Sequence, residues 1–215
     1  LGFYVFELPW LHYLVDFAMA AETEEIELGM LITNLSWRDP VQIARFAMSV
    51  DQISNGRFVL GVGCGPLDDQ VMAGADVVDM SNVERLDRLA EGVQVLDRLL
   101  RGDESAFHGR FTRYESAAMA PGSVQEPRLP IVVAGNGKRT MRIAVEGADT
   151  WNTYIDTGEV DHFHAQTVER IALLDDYVAE AGREPVERDT LYRRIVRDPA
   201  QPAKWTVGEE LLVGA

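Results

Sequence analysis

A single cysteine, Cys64, stands in 215 residues. An internal disulfide and a cysteine-built zinc site are therefore excluded, and a reducing, cytoplasmic setting is expected. Basic residues are also scarce. Twenty Lys and Arg against 35 Asp and Glu leave a formal charge of −15 and a pI near 4.6. A surface of that sign repels phosphate backbones and anionic lipid, so neither nucleic acid nor a membrane is an expected partner. The most apolar stretch, residues 1–20, carries Glu7, Pro9, His12 and Asp16 and has no basic region ahead of it. It fits neither a signal peptide nor a membrane span. The sequence begins at Leu1 rather than Met, inside what reads as a strand, so a processed or truncated chain is expected. Internal repeats and low-complexity segments are absent.

What is present is alternation. Short apolar runs at residues 1–6, 26–33 (IELGMLIT), 58–62 (FVLGV), 131–134, 148–153, 191–196 and 211–213 read as strands. Helical patterns at 10–23, 40–53, 83–101, 139–145 and 168–181 fill most of the gaps between them. Asp39-Pro40 supplies an N-cap and a first-turn proline, and Asn55-Gly56 a stop. The strongest helix signal puts Val83, Leu86, Leu89, Ala90, Val93, Leu96 and Leu100 on one stripe. Residues 102–129, rich in Gly and Pro, read as a loop or a small β excursion. Continuous apolar strands with helices between them imply a parallel sheet built from right-handed βαβ units. Periodicity leaves two α/β architectures open, a doubly wound sheet and a (β/α)₈ barrel.

The most informative segment runs from residue 131 to 149 (IVVAGNGKRTMRIAVEGAD). A buried strand enters Gly135-Asn136-Gly137, and a helix opens with Lys138, Arg139 and Thr140. Glycines let backbone N–H groups converge, and a helix N-terminus adds roughly half a positive charge. Lys138 and Arg139 bring full charges to an otherwise acidic chain, which makes a candidate phosphate cradle. Its plainer alternative is a tight connection with surface basic residues. A second cluster, Gly61-Val62-Gly63-Cys64-Gly65, ends a strand. Pro66 and Asp68-Asp69 follow it, so it matches neither a Walker loop nor a dinucleotide fingerprint. Small residues there allow a flat ring to approach the backbone, although an empty strand exit is equally compatible. Cys64 reads as a small filler rather than a nucleophile. His162 and His164 have no identifiable third ligand, so no metal is expected. His12 and His108 read as surface or packing residues. Spacing supports no Ser-His-Asp arrangement.

Residues 26–65 (IELGMLITNLSWRDPVQIARFAMSVDQISNGRFVLGVGCG) strongly resemble the bacterial luciferase-like family of flavin and deazaflavin oxidoreductases. The later blocks FHGRFTRYESAAMAP, Val124-Gln125, IVVAGNGKRT and ADTWN resemble the family's in the same order. The resemblance implies a (β/α)₈ TIM barrel as one domain over residues 1–215, with a loop or insertion near 102–129. In the family's register, the first strand, first helix and last helix would be missing, leaving an incomplete barrel. It further implies coenzyme F420 or FMN at the C-terminal mouth, a small-molecule substrate and a homodimer.

Carried over residue by residue, Gly135, Asn136, Gly137, Lys138 and Arg139 match the family's phosphate loop. Cys64 and Gly65 match the backbone beside the tricyclic ring, and Ile32-Thr33 the strand end beneath it. Trp151 resembles a mouth tryptophan, with packing as its alternative role. Two departures remove proton-donor candidates: Leu8 follows Glu7 where many members carry His, and Pro66 stands where hydride-transferring members often place Glu. Catalytic residues are left unassigned. The blocks look closer to the deazaflavin branch, which implies F420-dependent hydride transfer. An FMN-dependent monooxygenase and a non-catalytic flavin-binding paralogue are the alternatives.

Overall fold

A computed structural model describes residues 27–65, 80–153, 160–182, 196–197 and 205–206. The strands expected at 1–6 and 211–213 and the helix at 10–23 lie outside these residues. The described elements are β1 (Leu28–Asn34), α1 (Pro40–Ile53), β2 (Phe58–Gly63), α2 (Asn82–Leu100), β3 (Phe107–His108), β4 (Arg113–Tyr114), β5 (Ile131–Ala134), α3 (Lys138–Gly147), β6 (Thr150–Asn152), α4 (Val160–Glu180), β7 (Val196–Arg197) and β8 (Trp205–Thr206).

Local chemistry sets the helix ends. The Asp39 carboxylate accepts from the N–H groups of Val41 at 2.7 Å and Gln42 at 3.4 Å, with Pro40 opening α1. This is the expected cap. Asn55 and Gly56 both take positive φ, 55° and 80°, and turn the chain into β2. Ser81 caps α2 through Glu84 N–H at 3.2 Å.

The central sheet has the order β1-β2-β5-β6, and each neighbouring pair is parallel. Strand order never reverses among these four, whereas a doubly wound sheet requires a reversal. Helices follow the same progression: α1 packs on α2, α2 on α3 and α3 on α4. One sheet face, carrying Phe58, Leu60, Val62, Ile131, Val133 and Trp151, is sealed against Ile43, Ala47, Leu89, Val93, Leu96 and Met141. Each large apolar side chain sealed there contributes about 1.5–3 kcal/mol. Register and alternation put Val59, Gly61, Gly63, Val132, Ala134, Thr150 and Asn152 on the opposite, inner face.

The segment 102–129 is fastened rather than loose. Its β3–β4 hairpin pairs Phe107 with Tyr114, rings stacked at 5.8 Å. The Glu91 carboxylate accepts backbone N–H groups from Arg110, Phe111 and Thr112 at 2.7, 2.9 and 2.5 Å, clipping the hairpin to α2. Buried Arg128 ion-pairs with Asp97 at 2.6 Å and with Asp149. Asp149 in turn accepts Ile131 N–H at 2.7 Å where β5 begins.

Several boundaries differ from expectation. Val83 is 62% exposed, whereas Leu89, Val93, Leu96 and Leu100 of the expected stripe are buried, and the buried face of α2 widens beyond them through Gly92, Val95 and Leu99. Because α2 packs between α1 and α3, its apolar contact is broader than one stripe. Helix α4 starts at Val160 rather than 168, since the polar stretch that includes His162 and His164 hid its first turns. Val196–Arg197 pairs antiparallel with Trp205–Thr206 as a separate ladder, not with the parallel sheet. Among the described residues, no helix is long and apolar enough to cross a membrane.

Candidate functional site

Four parallel strands deliver their carboxyl ends to one edge, where the segments that follow β1, β2, β5 and β6 collect. All nine expected site residues lie along this edge, at two separate places: Ile32 and Thr33 near the end of β1 with Cys64 and Gly65 just after β2, and Gly135 to Arg139 after β5.

The first place is an apolar shelf. Register runs Met30 against Leu60 but Thr33 against Val62, so β1 carries one extra residue as a bulge. The Leu31–Ile32 peptide within it is cis. Leu31 and Ile32 lie across two glycines of β2. A Cβ on Gly61 would meet the Met30 carbonyl at 2.2 Å and Leu31 Cδ1 at 3.1 Å, and one on Gly63 would meet Ile32 Cδ1 at 2.5 Å. The glycines thus make room for two aliphatic side chains on the inner face, where they are 47% and 39% exposed. Thr33 points the other way. It is buried, and its hydroxyl accepts from the Arg38 guanidinium at 2.6 Å.

Beside the shelf, the Ser36 hydroxyl donates to the Cys64 carbonyl at 3.1 Å and fixes the exit of β2. The Asn34 side-chain oxygen accepts Ser36 N–H at 2.8 Å. Gly65 has φ of 73°, and a Cβ there would sit 2.0 Å from Asn34 Nδ2. Burial pushes the Cys64 thiol up, against the nearby Arg85 charge, which lowers it. A neutral, half-buried thiol fits packing rather than nucleophilic work.

The second place, the candidate oxyanion cradle, is a glycine-led helix start. Gly135 (φ 153°) leaves β5 so close to Thr140 that a Cβ would come within 2.7 Å of Thr140 Cγ2. Its N–H donates to the Asn152 carbonyl at 3.0 Å. Its carbonyl accepts from Trp151 Nε1 at 2.8 Å. Trp151 is therefore a packing residue that also braces the loop. Gly137 caps α3 without any side-chain hydrogen bond, and Met141 N–H is bonded back to its carbonyl at 3.0 Å. The N–H groups of Lys138, Arg139 and Thr140 precede that bond and have no intrahelical acceptor, as at any helix start. Lys138 is exposed there. The Arg139 guanidinium turns aside to Asp87 and to the Val83 carbonyl at 3.5 Å.

Sequence reasoning missed a polar relay behind this cradle. The Thr153 hydroxyl donates to Asn136 Oδ1 at 2.9 Å and accepts from the Arg170 guanidinium at 3.1 Å. Burial lowers the Arg170 pKa. The only hint was position, because Thr153 ends the strand expected over 148–153. Arg38 and Ser36 carried the same hint after β1. Among the described residues, no group of three or more His, Cys, Asp or Glu could hold a metal ion.

The arrangement offers an apolar platform at one place and backbone N–H donors with a lysine at the other. That pairing suits a flat ring joined to an anionic tail. Comparison with known proteins identifies the family. An F420-dependent glucose-6-phosphate dehydrogenase of Nakamurella multipartita is 30% identical over 185 residues, covering 86% of this chain and 51% of that protein. Its counterpart in Microbacterium testaceum is 29% identical over the same shares. The chain thus spans about half the length of the curated relatives it matches. Among solved structures, an F420-dependent secondary alcohol dehydrogenase in complex with an F420-acetone adduct superposes with a TM-score of 0.68 at 20% identity, covering 81% of this chain and 51% of that one. The coenzyme F420 dependent tetrahydromethanopterin reductase from Methanopyrus kandleri gives 0.67 at 22%, over the same shares. The luciferase-like monooxygenase pattern itself runs over residues 14–204. With the ordered blocks, the singly wound parallel sheet and a match of that extent in agreement, the chain belongs to the luciferase-like monooxygenase family.

Proposed function

We propose that this chain is part of an oxidoreductase that binds coenzyme F420 at the carboxyl edge of the sheet and passes hydride to or from a small organic substrate. One observation carries the reading: the uncapped, glycine-led start of α3 shares an edge with the exposed Leu31–Ile32 shelf. The residues present fit a phosphate-bearing tricyclic cofactor. Backbone N–H groups of Lys138, Arg139 and Thr140, with the Lys138 ammonium, would hold the phosphate. Gly135 and Gly137 admit it, and Asn136 is oriented by Thr153. Leu31, Ile32, Cys64 and Gly65 would line the ring, with Ser36, Arg38 and the buried Thr33 fixing the strand ends rather than touching it. When bound, the deazaflavin supplies a two-electron hydride carrier, whereas FMN would add one-electron chemistry with O₂. F420 is favoured because both curated relatives at 29–30% identity are F420-dependent by name.

The same reading takes the described sheet as part of a (β/α)₈ barrel, with residues 1–215 in one domain. It also implies a homodimer in the cytoplasm that handles a small molecule and not nucleic acid. The net charge of −15 supports the last point. The test is parallel titration with F420 and FMN, followed by a hydride-transfer assay with glucose 6-phosphate and a secondary alcohol. Binding of F420 with hydride transfer supports the proposal. Preference for FMN with O₂ uptake points to monooxygenation, and cofactor binding without turnover to a non-catalytic paralogue.

A further inference from the structure

Asn152 ends β6, and nothing so far gives its side chain a task. The residue is 5% exposed, and its Nδ2 has no hydrogen-bond partner among the described residues. A buried amide donor left without an acceptor costs stability, so native proteins seldom keep one unless something else uses it. Its direction follows from the strand. Trp151 lies in the core between sheet and helices, so the adjacent Asn152 projects from the inner face, beside Ala134, its register partner on β5. Its main-chain carbonyl meanwhile accepts Gly135 N–H at 3.0 Å, which ties this residue to the oxyanion cradle. The Thr153 hydroxyl next to it bonds Asn136 and Arg170, and no bond joins it to the Asn152 amide.

We infer that Asn152 is a specificity-determining residue whose amide N–H donates to a phosphate or hydroxyl oxygen of the ligand bound on the inner face beside Gly135. This rests on the proposed function for the site, and the oxygen belongs either to the cofactor's tail or to an oxygenated substrate. A carboxamide is suited to the task, since it offers a neutral donor without adding charge beside the hydride-transfer site. Leucine, which has the same branched arrangement of side-chain heavy atoms, removes the donor with little change of shape.

The experiment compares wild type with Asn152→Leu and Asn152→Asp in ligand-free unfolding, F420 titration, and saturation of F420 reduction by glucose 6-phosphate. Asn152→Leu should be at least as stable as wild type, because a spare donor is removed. It should lose about tenfold in one ligand's affinity, the worth of one hydrogen bond. Asn152→Asp, an acceptor only, should lose more. A weakened F420 titration assigns the oxygen to the cofactor. A raised KM for glucose 6-phosphate with unchanged F420 binding assigns it to the substrate. Unchanged values for both ligands, or marked destabilisation of Asn152→Leu, would overturn the inference while leaving the cofactor reading intact. A wild-type protein that binds neither F420 nor FMN would sink both.

Discussion

Asp51 offers the sharpest separation of fold from function. It is fully buried in α1, at the end of the sheet opposite the candidate site. Its carboxylate accepts Val124 N–H at 2.7 Å, Gln125 N–H at 3.3 Å and Gln125 Nε2 at 2.8 Å. Gln125 Nε2 also donates to the Phe58 carbonyl at 2.8 Å, so one carboxylate joins α1, the start of β2 and the segment before β5. Asp51→Ala removes one short charge-assisted bond to backbone, worth about 1.5–3 kcal/mol. The long Gln125 N–H contact adds little, and the Gln125 amide keeps Phe58. A small cavity adds about 1 kcal/mol, for a total of about 2.5–4 kcal/mol. Asp51→Asn keeps one acceptor oxygen and should cost about half as much. Urea unfolding followed by far-UV circular dichroism measures both. Affinity for F420 in the folded Asp51→Ala protein should match wild type, since amino-end residues of such sheets serve stability and carboxyl-end residues serve chemistry. A loss below about 1 kcal/mol would show that the latch is not holding the segment.

Three other expectations follow from the same contacts. Arg128→Met leaves Asp97 with Arg101 and Asp149 with the Ile131 N–H, both partly open to water. It should cost about 1.5–3 kcal/mol in urea unfolding, the scale of a lost charged hydrogen bond; near-neutrality would mean that water and these remaining partners replace the guanidinium. Arg139→Ala breaks an exposed pair with Asp87 and should change stability by at most about 1 kcal/mol. Because the guanidinium turns away from the cradle, F420 affinity should fall far less than in Lys138→Ala, and equal losses in a titration would place Arg139 at the phosphate after all. Hydrogen bonds from Ser105, then Arg98, hold the Asp103 carboxyl at about 2, below its ordinary 3.8. Its depressed value means that its stabilising contribution is complete above about 3.8 and fades as pH falls through about 2. NMR titration should give that low midpoint, and Ser105→Ala should move it upward; a wild-type midpoint near 3.8 contradicts the hydrogen bonding.

Much of the fold is legible in the sequence because local and tertiary preferences coincide. Asp39-Pro40, Asn55-Gly56 and the FVLGV strand each state one structure through capping, positive φ and apolar continuity. Periodicity fails where tertiary contacts decide. The broad contact face of α2 follows from two flanking helices, and the opening of α4 is hidden by its polar composition. The candidate loop from Gly135 to Lys138 is visible because glycine and helix-start chemistry are local. Ser36, Arg38, Thr153 and Arg170 are not visible, because each acts through a partner on another segment. Arg139 shows the same limit in reverse: its charge could be read from the sequence, but its attachment to Asp87, 52 residues away, could not.

The most direct measurement is the dissociation constant of F420 for wild type and Gly135→Ala. Alanine at this position puts a Cβ 2.7 Å from Thr140 Cγ2 and forces the loop that opens α3 to move, while most of the core is untouched. Tight binding by wild type, weakened at least about tenfold in a still-folded variant, is the expected result. Equal binding by the two proteins, or none by wild type, would contradict a cofactor phosphate held at the start of α3.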